Sequence, residues 1–295
     1  MQEARKIKEK IIEGALLGCA SLSILTTVGI IIVLVVQLFS FFQVVSVWDF
    51  LTDTQWTPLF DDKHFGIIAL LSGTFLTTVI AIAIALPFGL IIAIYLSEYA
   101  KKRTRQILKP MLEVLATVPT VVYGFFALTV VTPFLQKLIP GLAGFNALSP
   151  GIVMGIMIIP LITSMSEDAM YAVPRALREG AYALGSSTFQ TAWKVVVPSA
   201  SSGIIVSVIL ATSRAIGETM IVAIAAGQQP RLTLNPLVPI ETVTTYIVQV
   251  SMGDVPHGSI EYQTIFAAGF SLFVFTFALN NLSFFIKKKY AQVYE

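Results

Sequence analysis

Cysteine is almost missing. Cys19 stands alone among 295 residues, so neither an internal disulfide nor a thiolate metal cluster can form. In its apolar run it reads as a small packing residue. Histidine is nearly as scarce: His64 and His257 fall in separate loops and read as solvated loop residues rather than as ligands. Charge is the third shortage. Charged residues are 12% of the chain and hydrophobic ones 56%, with a mean hydropathy of +0.81, whereas a soluble domain carries about 25% charge. Much of the surface therefore faces something other than water, and the chain reads as an integral membrane protein. No GxxxxGKS/T segment occurs, so nothing here would cradle ATP phosphates. An intramembrane enzyme would need a nucleophile with a base, or a metal cluster, at membrane depth, and the loop histidines supply neither. No cofactor or metal is expected on this chain.

What is present is a series of apolar runs. Gly14 to Trp48 contains no charge, too long for a cleaved secretory signal, whose apolar core is about 7–15 residues. A retained helix near Ala15–Phe41 is expected, its surplus emerging as an interfacial end around Phe41–Trp48, since about 20 apolar residues span a bilayer. Further spans are expected in Ile67–Tyr95, Met111–Leu135, Ala147–Tyr171, Ser199–Ala226 and Gln263–Ile286. The fold class is thus all-α, a polytopic membrane protein with six transmembrane helices. Pro119, Pro150 and Pro160 kink or cap the third and fourth spans, as membrane helices tolerate.

The loops divide the charge. One side holds Arg5, Lys6, Lys8, Lys10, Lys101, Lys102, Arg103, Arg105, Lys109, Arg175, Arg178, Lys194, Lys287, Lys288 and Lys289. The other holds Lys63, Lys137 and Arg231 with seven acids, among them Asp53, Glu241 and Glu261. The positive-inside rule puts both termini in the cytoplasm. Residues 1–66 then form a cytoplasmic start, the first helix and an outer loop. Residues 67–286 form the core, and 287–295 a cytoplasmic tail. Within the core, 173–198 is a cytoplasmic loop, and 227–262 is a long outer loop that four prolines make too broken to span.

The 173–198 loop carries a spaced pattern. Glu179, Gly180 and Ala181 are followed after three residues by Gly185, and after nine more by Val195, Val196, Val197 and Pro198. Residues Ala176–Leu184 are expected to form a short helix ended by a left-handed turn at Gly185. Ser186–Trp193 would form a second, and Pro198 would open the next span. Small residues at Gly180 and Ala181 let a partner surface approach; an amphipathic juxtamembrane loop of no special role is the plainer alternative. The spacing resembles the EAA motif of ABC-importer permeases, with Gly180 replacing the first alanine. That resemblance implies a docking place for a separate ATPase, where its motion enters.

Arg214 and Glu218 lie four residues apart inside the fifth apolar run, within reach of each other on one helix face. A charge at bilayer depth is costly, so they must face protein or a water-filled path. They read either as an internal ion pair that fixes packing or as an anion site. A guanidinium presents a planar fork of donors matched to oxyanions. Ser213, Thr212 and Thr219 add hydroxyls at the same level.

The segment SRAIGETM around this pair resembles the RAxGET segment of the permease subunits of the phosphate-specific ABC transporter. EVLATVPTVVYGFFAL, from Glu113 to Leu128, is similar to a second shared motif of that family, and TQWTPLF, Thr54–Phe60, to its outer loop. GETM followed by Ala225–Gly227 favours the PstC branch over its sister PstA. The resemblance implies the MetI-like fold, five core helices plus an N-terminal one, in a bacterial inner membrane. It implies PstA as heterodimer partner, two copies of the ATPase PstB using ATP and magnesium, and the phosphate-binding protein PstS outside. Arg214 and Glu218 then belong to the phosphate path, with Pro119, Thr120 and Tyr123 near it. No nucleic-acid partner is implied. The alternatives within transport are a permease for sulfate, molybdate or phosphonate. A stand-alone anion channel or carrier is less favoured, because no paired repeat with matching broken helices is visible.

Overall fold

The computed structural model describes residues 2–290, with side-chain surroundings for residues 9–286. The side chains of Arg5, Lys6, Lys8, Lys287, Lys288 and Lys289, and residues 291–295 of the expected tail, lie outside the described residues. Among those described, all regular structure is helical; the only extended pairings are the isolated bridges Trp56–Phe65 and Gly227–Ile240. Five helices are long and apolar enough to cross a membrane, or six when one bent pair counts as a single span. The six-span expectation stands on that footing.

Helix α1 (Gln2–Phe42) is exposed along most of its length, presenting Leu17, Ile24 and Leu25 outward. That surface suits lipid and not water. Its far end is anchored. A short helix α2 (Val47–Thr52), capped by Ser46 accepting from the Trp48 amide, folds Phe50 back beneath Phe41. The two rings meet edge-on at 5.6 Å, and Trp56 meets Tyr246 the same way at 5.0 Å.

The centre of the bundle is a helix pair, α3 (Ile68–Tyr99) against Leu148–Tyr171. In a bilayer, helices associate by close packing rather than by exclusion from water. Small and flexible side chains serve that need: Ala81 and Ala85 of α3 meet Met154, Ile158 and Ile162 of its partner, all buried. Thr163 Oγ1 donates to the Gly89 carbonyl at 3.1 Å and ties the two.

The third span differs from expectation. Residues Lys102–Thr117 form a separate polar helix, α4, with no buried residue, and the apolar helix α5 begins only at Thr120, running to Leu138. The cause is Pro119. A proline pushes the residue before it out of the helical region, and Val118 is extended at φ −61°, ψ 131°. The wholly buried Glu167 holds α4 to the bundle through Arg105 and through Lys109 at 3.0 Å.

Leu148–Tyr171, hereafter α6, leads through Pro174 into α7 (Arg175–Ala183). Helix α8 (Thr188–Ser199) then bends by 72° into α9 (Ser201–Ile216). Pro198 thus sits just ahead of the bend at Ala200, and the span opens at Ser201 rather than at the proline. The fifth span is also broken further on: α9 stops at Gly217, and a new short helix, α10 (Met220–Ala225), follows.

The proline-rich segment 227–262 contains no candidate span, but it is more ordered than a plain loop. It carries α11 (Val243–Met252), with Val243, Thr244, Thr245, Tyr246 and Val250 buried. Its threonines are polar only in the sequence. Thr242 caps the helix with Thr245 in a reciprocal box, and Thr244 Oγ1 donates to the Glu218 carbonyl at 2.9 Å. The final helix, α12 (Ile260–Tyr290), packs along α1, α9 and α11.

Candidate functional site: a capped loop and a broken fifth span

Two places carry the residues singled out by sequence. The first is the helix–turn–helix at the basic end. Helix α7 ends in a Schellman turn: the Ser186 amide donates to the Ala181 carbonyl at 3.1 Å and the Gly185 amide to that of Tyr182 at 2.9 Å. Gly185 has φ +82°, the left-handed conformation a glycine adopts without strain. Ser187 then starts α8 with a capping box, its side chain and amide exchanging bonds with Gln190. Glu179, Gly180, Gly185 and Pro198 are exposed, and Ala181 is buried. Around them Tyr182, Phe189 and Trp193 are also exposed, and Leu184 is 89% so. The tightly turned, capped loop thus presents several large apolar side chains at its surface.

Sequence reasoning missed what holds this loop to the bundle. Arg178, one position before Glu179, reaches inward. Its Nη2 donates to Glu98 Oε1 at 2.9 Å and its Nε to Oε2 at 3.1 Å. The same guanidinium donates to the Val173 carbonyl at 2.6 Å and to the Met170 carbonyl at 2.8 Å. The side chains of Arg178 and Glu98 are 15% and 3% exposed. Glu98 lies on a π-helical turn, Tyr95–Tyr99, that closes α3. No sequence signal marked it, because Glu98 beside the basic run Lys101–Arg105 reads equally well as a solvated neighbour of those bases.

The second place is the break after α9. Arg214 and Glu218 are not an intrahelical pair, because Gly217 ends the helix between them. Glu218 turns forward instead: its Oε1 accepts from the amides of Met220 at 3.1 Å and Ile221 at 3.4 Å. A carboxylate at a helix start satisfies amides that have no partner within the helix. Arg214 is exposed in the last turn of α9 and makes no ion pair among the described residues. Ser213 Oγ donates to Asn280 Oδ1 of α12 at 3.2 Å. Thr212 Oγ1 donates to Val208 O at 2.8 Å and Thr219 Oγ1 to Gly217 O at 3.4 Å.

Pro119, Thr120 and Tyr123 open α5. Pro119 is exposed, while Thr120 and Tyr123 are half-buried. Tyr123 hydroxyl donates to the Leu115 carbonyl at 2.8 Å and fastens the span to the end of α4. The helix they open packs on α10: a Cβ placed on Gly124 would lie 3.1 Å from Met220 O and 2.8 Å from Ile224 Cδ1. The two motifs therefore meet through α10, whose first amides Glu218 holds.

Above the break sits Glu241, 2% exposed. Its Oε1 is buried without a hydrogen-bond partner. Desolvation pushes its carboxyl from 4.5 up to about 8, since burial disfavours the charged form. It lies in the 227–262 segment, outside the candidate spans. Among the described residues, no group of three or more metal-ligating side chains occurs.

A bundle of apolar spans, one broken beside an arginine without an ion pair among the described residues, fits a class that the family match makes definite: a multi-pass membrane transport subunit. The chain belongs to the binding-protein-dependent transport system inner membrane component family, whose model matches residues 85–292. It is 38% identical over 262 residues to the probable ABC transporter permease protein YqgH of Bacillus subtilis, covering 88% of this chain and 84% of that one. The phosphate transport system permease protein PstC of Mesorhizobium japonicum is 35% identical over 251 residues, covering 79% and 76%. In fold, the chain is similar to a subunit of the MetNI methionine ABC transporter in inward-facing form. That match has a TM-score of 0.53 at 16% identity, over 75% of this chain and 94% of that one. A bacterial alginate ABC transporter chain gives 0.54 at 17%, over 86% and 88%. The fold is MetI-like, and the family's members are permease subunits rather than enzymes.

Proposed function

We propose that this chain is a permease subunit of an ABC importer that moves inorganic phosphate into the cytoplasm. The observation that carries the reading is Arg214, an exposed guanidinium with no ion-pair partner among the described residues, at the break of the fifth span. It lies within a segment similar to RAxGET, and relatives named PstC match most of the chain. An unpaired arginine offers a fork of donors to a tetrahedral oxyanion. Glu218, turned away to cap α10, leaves that fork unoccupied rather than neutralising it.

The basic end is cytoplasmic in this reading, with both termini there. A separate ATPase, PstB in two copies, grips the Glu179–Pro198 loop and uses ATP and magnesium. The conducting path forms against a sister permease, PstA, and PstS delivers phosphate outside. Alternating access then follows when motion of the ATPase, entering at α7 and α8, is passed to the spans. The family includes importers of many solutes, so selectivity needs its own test. The four-component complex is reconstituted in liposomes, and ATP-driven uptake of labelled phosphate is measured against excess sulfate or molybdate. The expected result is uptake that unlabelled phosphate suppresses and sulfate does not. Uptake of sulfate with indifference to phosphate would replace the substrate and leave the architecture intact.

A further inference from the structure

Helix α7 has little to hold it. Of its nine residues only Ala181 is buried, so apolar packing alone would leave it free to slide over the end of the bundle. What joins it sideways to the spans is Arg178. Its guanidinium engages Glu98 at the end of α3 and two carbonyls at the end of α6, those of Met170 and Val173. Ser97 Oγ donates to Glu98 Oε1 at 2.7 Å and steadies the acceptor.

What lies beneath gives the clamp its consequence. Met170 and Val173 belong to a buried cluster with Ala93 of α3, Val196 of α8, Ala200 at the 72° bend and Ile204 of α9. Three elements therefore converge under one guanidinium: the central pair α3–α6, and the bend that leads into the helix carrying Arg214. Only arginine fits this geometry, because its planar fork serves a carboxylate and two carbonyls at once, whereas an ammonium is a single point donor.

We infer that Arg178 is the positioning residue that makes α7 move as one body with α3 and α6, so that partner-driven motion at the loop reaches the bend at Ala200 and the break at Arg214. The inference rests on the transport reading above, and it holds for any transported anion. Without the clamp, the loop would still dock and the ATPase would still turn over, but α7 would swing without carrying the spans.

The experiment uses the full complex with its partner permease, ATPase and binding protein, and reads phosphate moved per ATP hydrolysed. Arg178→Gln is expected to lower that ratio about tenfold or more, with ATP turnover of the assembled complex kept within about twofold. Arg178→Lys should fall between, keeping the charge but losing the fork. If Arg178→Gln fails to assemble because Glu98 is left buried and unpaired, the double variant Arg178→Gln with Glu98→Gln removes that charge and is expected to assemble uncoupled. Uptake and hydrolysis falling in parallel, or a ratio unchanged in the assembled double variant, overturns the inference. A second arm leaves the clamp intact. Spin labels on Tyr99→Cys and Tyr182→Cys, in a Cys19→Ser background, should keep their separation within about 2 Å between nucleotide-free and ATP-bound states. A change of about one helical turn, roughly 5 Å, would show that α7 and α3 part in every cycle and would refute it. A parent complex with no ATP-driven uptake at all would overturn the transport reading itself, a failure visible before any variant is made.

Discussion

Substituting Gly73→Ala tests whether the 227–262 segment is seated on α3 as described. A Cβ there would overlap the Glu241 carbonyl oxygen, and would stand 3.1 Å from its carbon and 3.3 Å from Ile240 Cδ1. Two of those contacts are backbone, so the neighbour cannot rotate away, and the segment must retreat by about 1 Å to regain ordinary contact. The next residues cannot follow without loss. The Val243 amide donates to Thr74 Oγ1 at 3.1 Å, and a retreat of that size breaks the bond. A buried amide left unpaired costs about 1–3 kcal/mol, and overpacking costs about 1–3 kcal/mol more. Alanine's better helix propensity offsets about 1 kcal/mol. The sum favours destabilisation by about 3 kcal/mol. At roughly 2–4 °C per kcal/mol, the melting point of the detergent-purified protein should fall by about 6–12 °C. A melting point within about 1 °C of the parent would mean that α3 and residues 240–243 do not touch, and would refute the seating of this segment on α3.

Three further outcomes follow. Glu241→Gln should flatten the pH dependence of stability. The folded carboxyl titrates near 8 and the free one near 4.5, so the native state keeps a proton that the unfolded chain releases, and stability falls as pH rises from 4.5 to 8. At pH 7 that loss is about 3 kcal/mol, and melting curves from pH 5 to 9 should diverge between parent and variant; parallel curves would refute the burial argument. Gly185→Ala should weaken docking of the ATPase, since a side chain at φ +82° costs about 1–2 kcal/mol and loosens the Schellman turn. Pull-down of the ATPase at limiting concentration would read it, and unchanged recovery would show that the turn is not part of the grip. Pro119→Ala should let α4 and α5 merge and break the Tyr123–Leu115 bond; an unaltered pattern of protease cleavage at residues 117–120 would contradict that.

The spans were legible because a bilayer demands long uncharged runs, and few other structures do. The loop between α6 and α9 was legible too, since glycine and proline at fixed spacing constrain backbone more than they constrain packing. The start of the third span, moved to Thr120 by Pro119, was not, and nor was the break in the fifth. Arg214 and Glu218 have the spacing of a helix face, but the glycine between them lets the Glu218 side chain compete for backbone amides, and spacing alone does not show which bond wins. Helix α11 was hidden for a related reason. Thr242, Thr244 and Thr245 count as polar, yet each hydroxyl finds a local acceptor or a neighbour, so the segment can be buried. The partner of Arg178 lies 80 residues away in sequence and no local pattern points to it.

The central claim is that Arg214 acts on the moving anion, and the direct measurement is phosphate uptake by the reconstituted four-component complex with the parent chain and with Arg214→Gln. Losing one charge-assisted contact, about 1.5–3 kcal/mol, predicts uptake reduced roughly 10- to 150-fold with assembly and basal ATP hydrolysis retained. Uptake at the parental rate would show that the free guanidinium never meets the anion and would contradict the account.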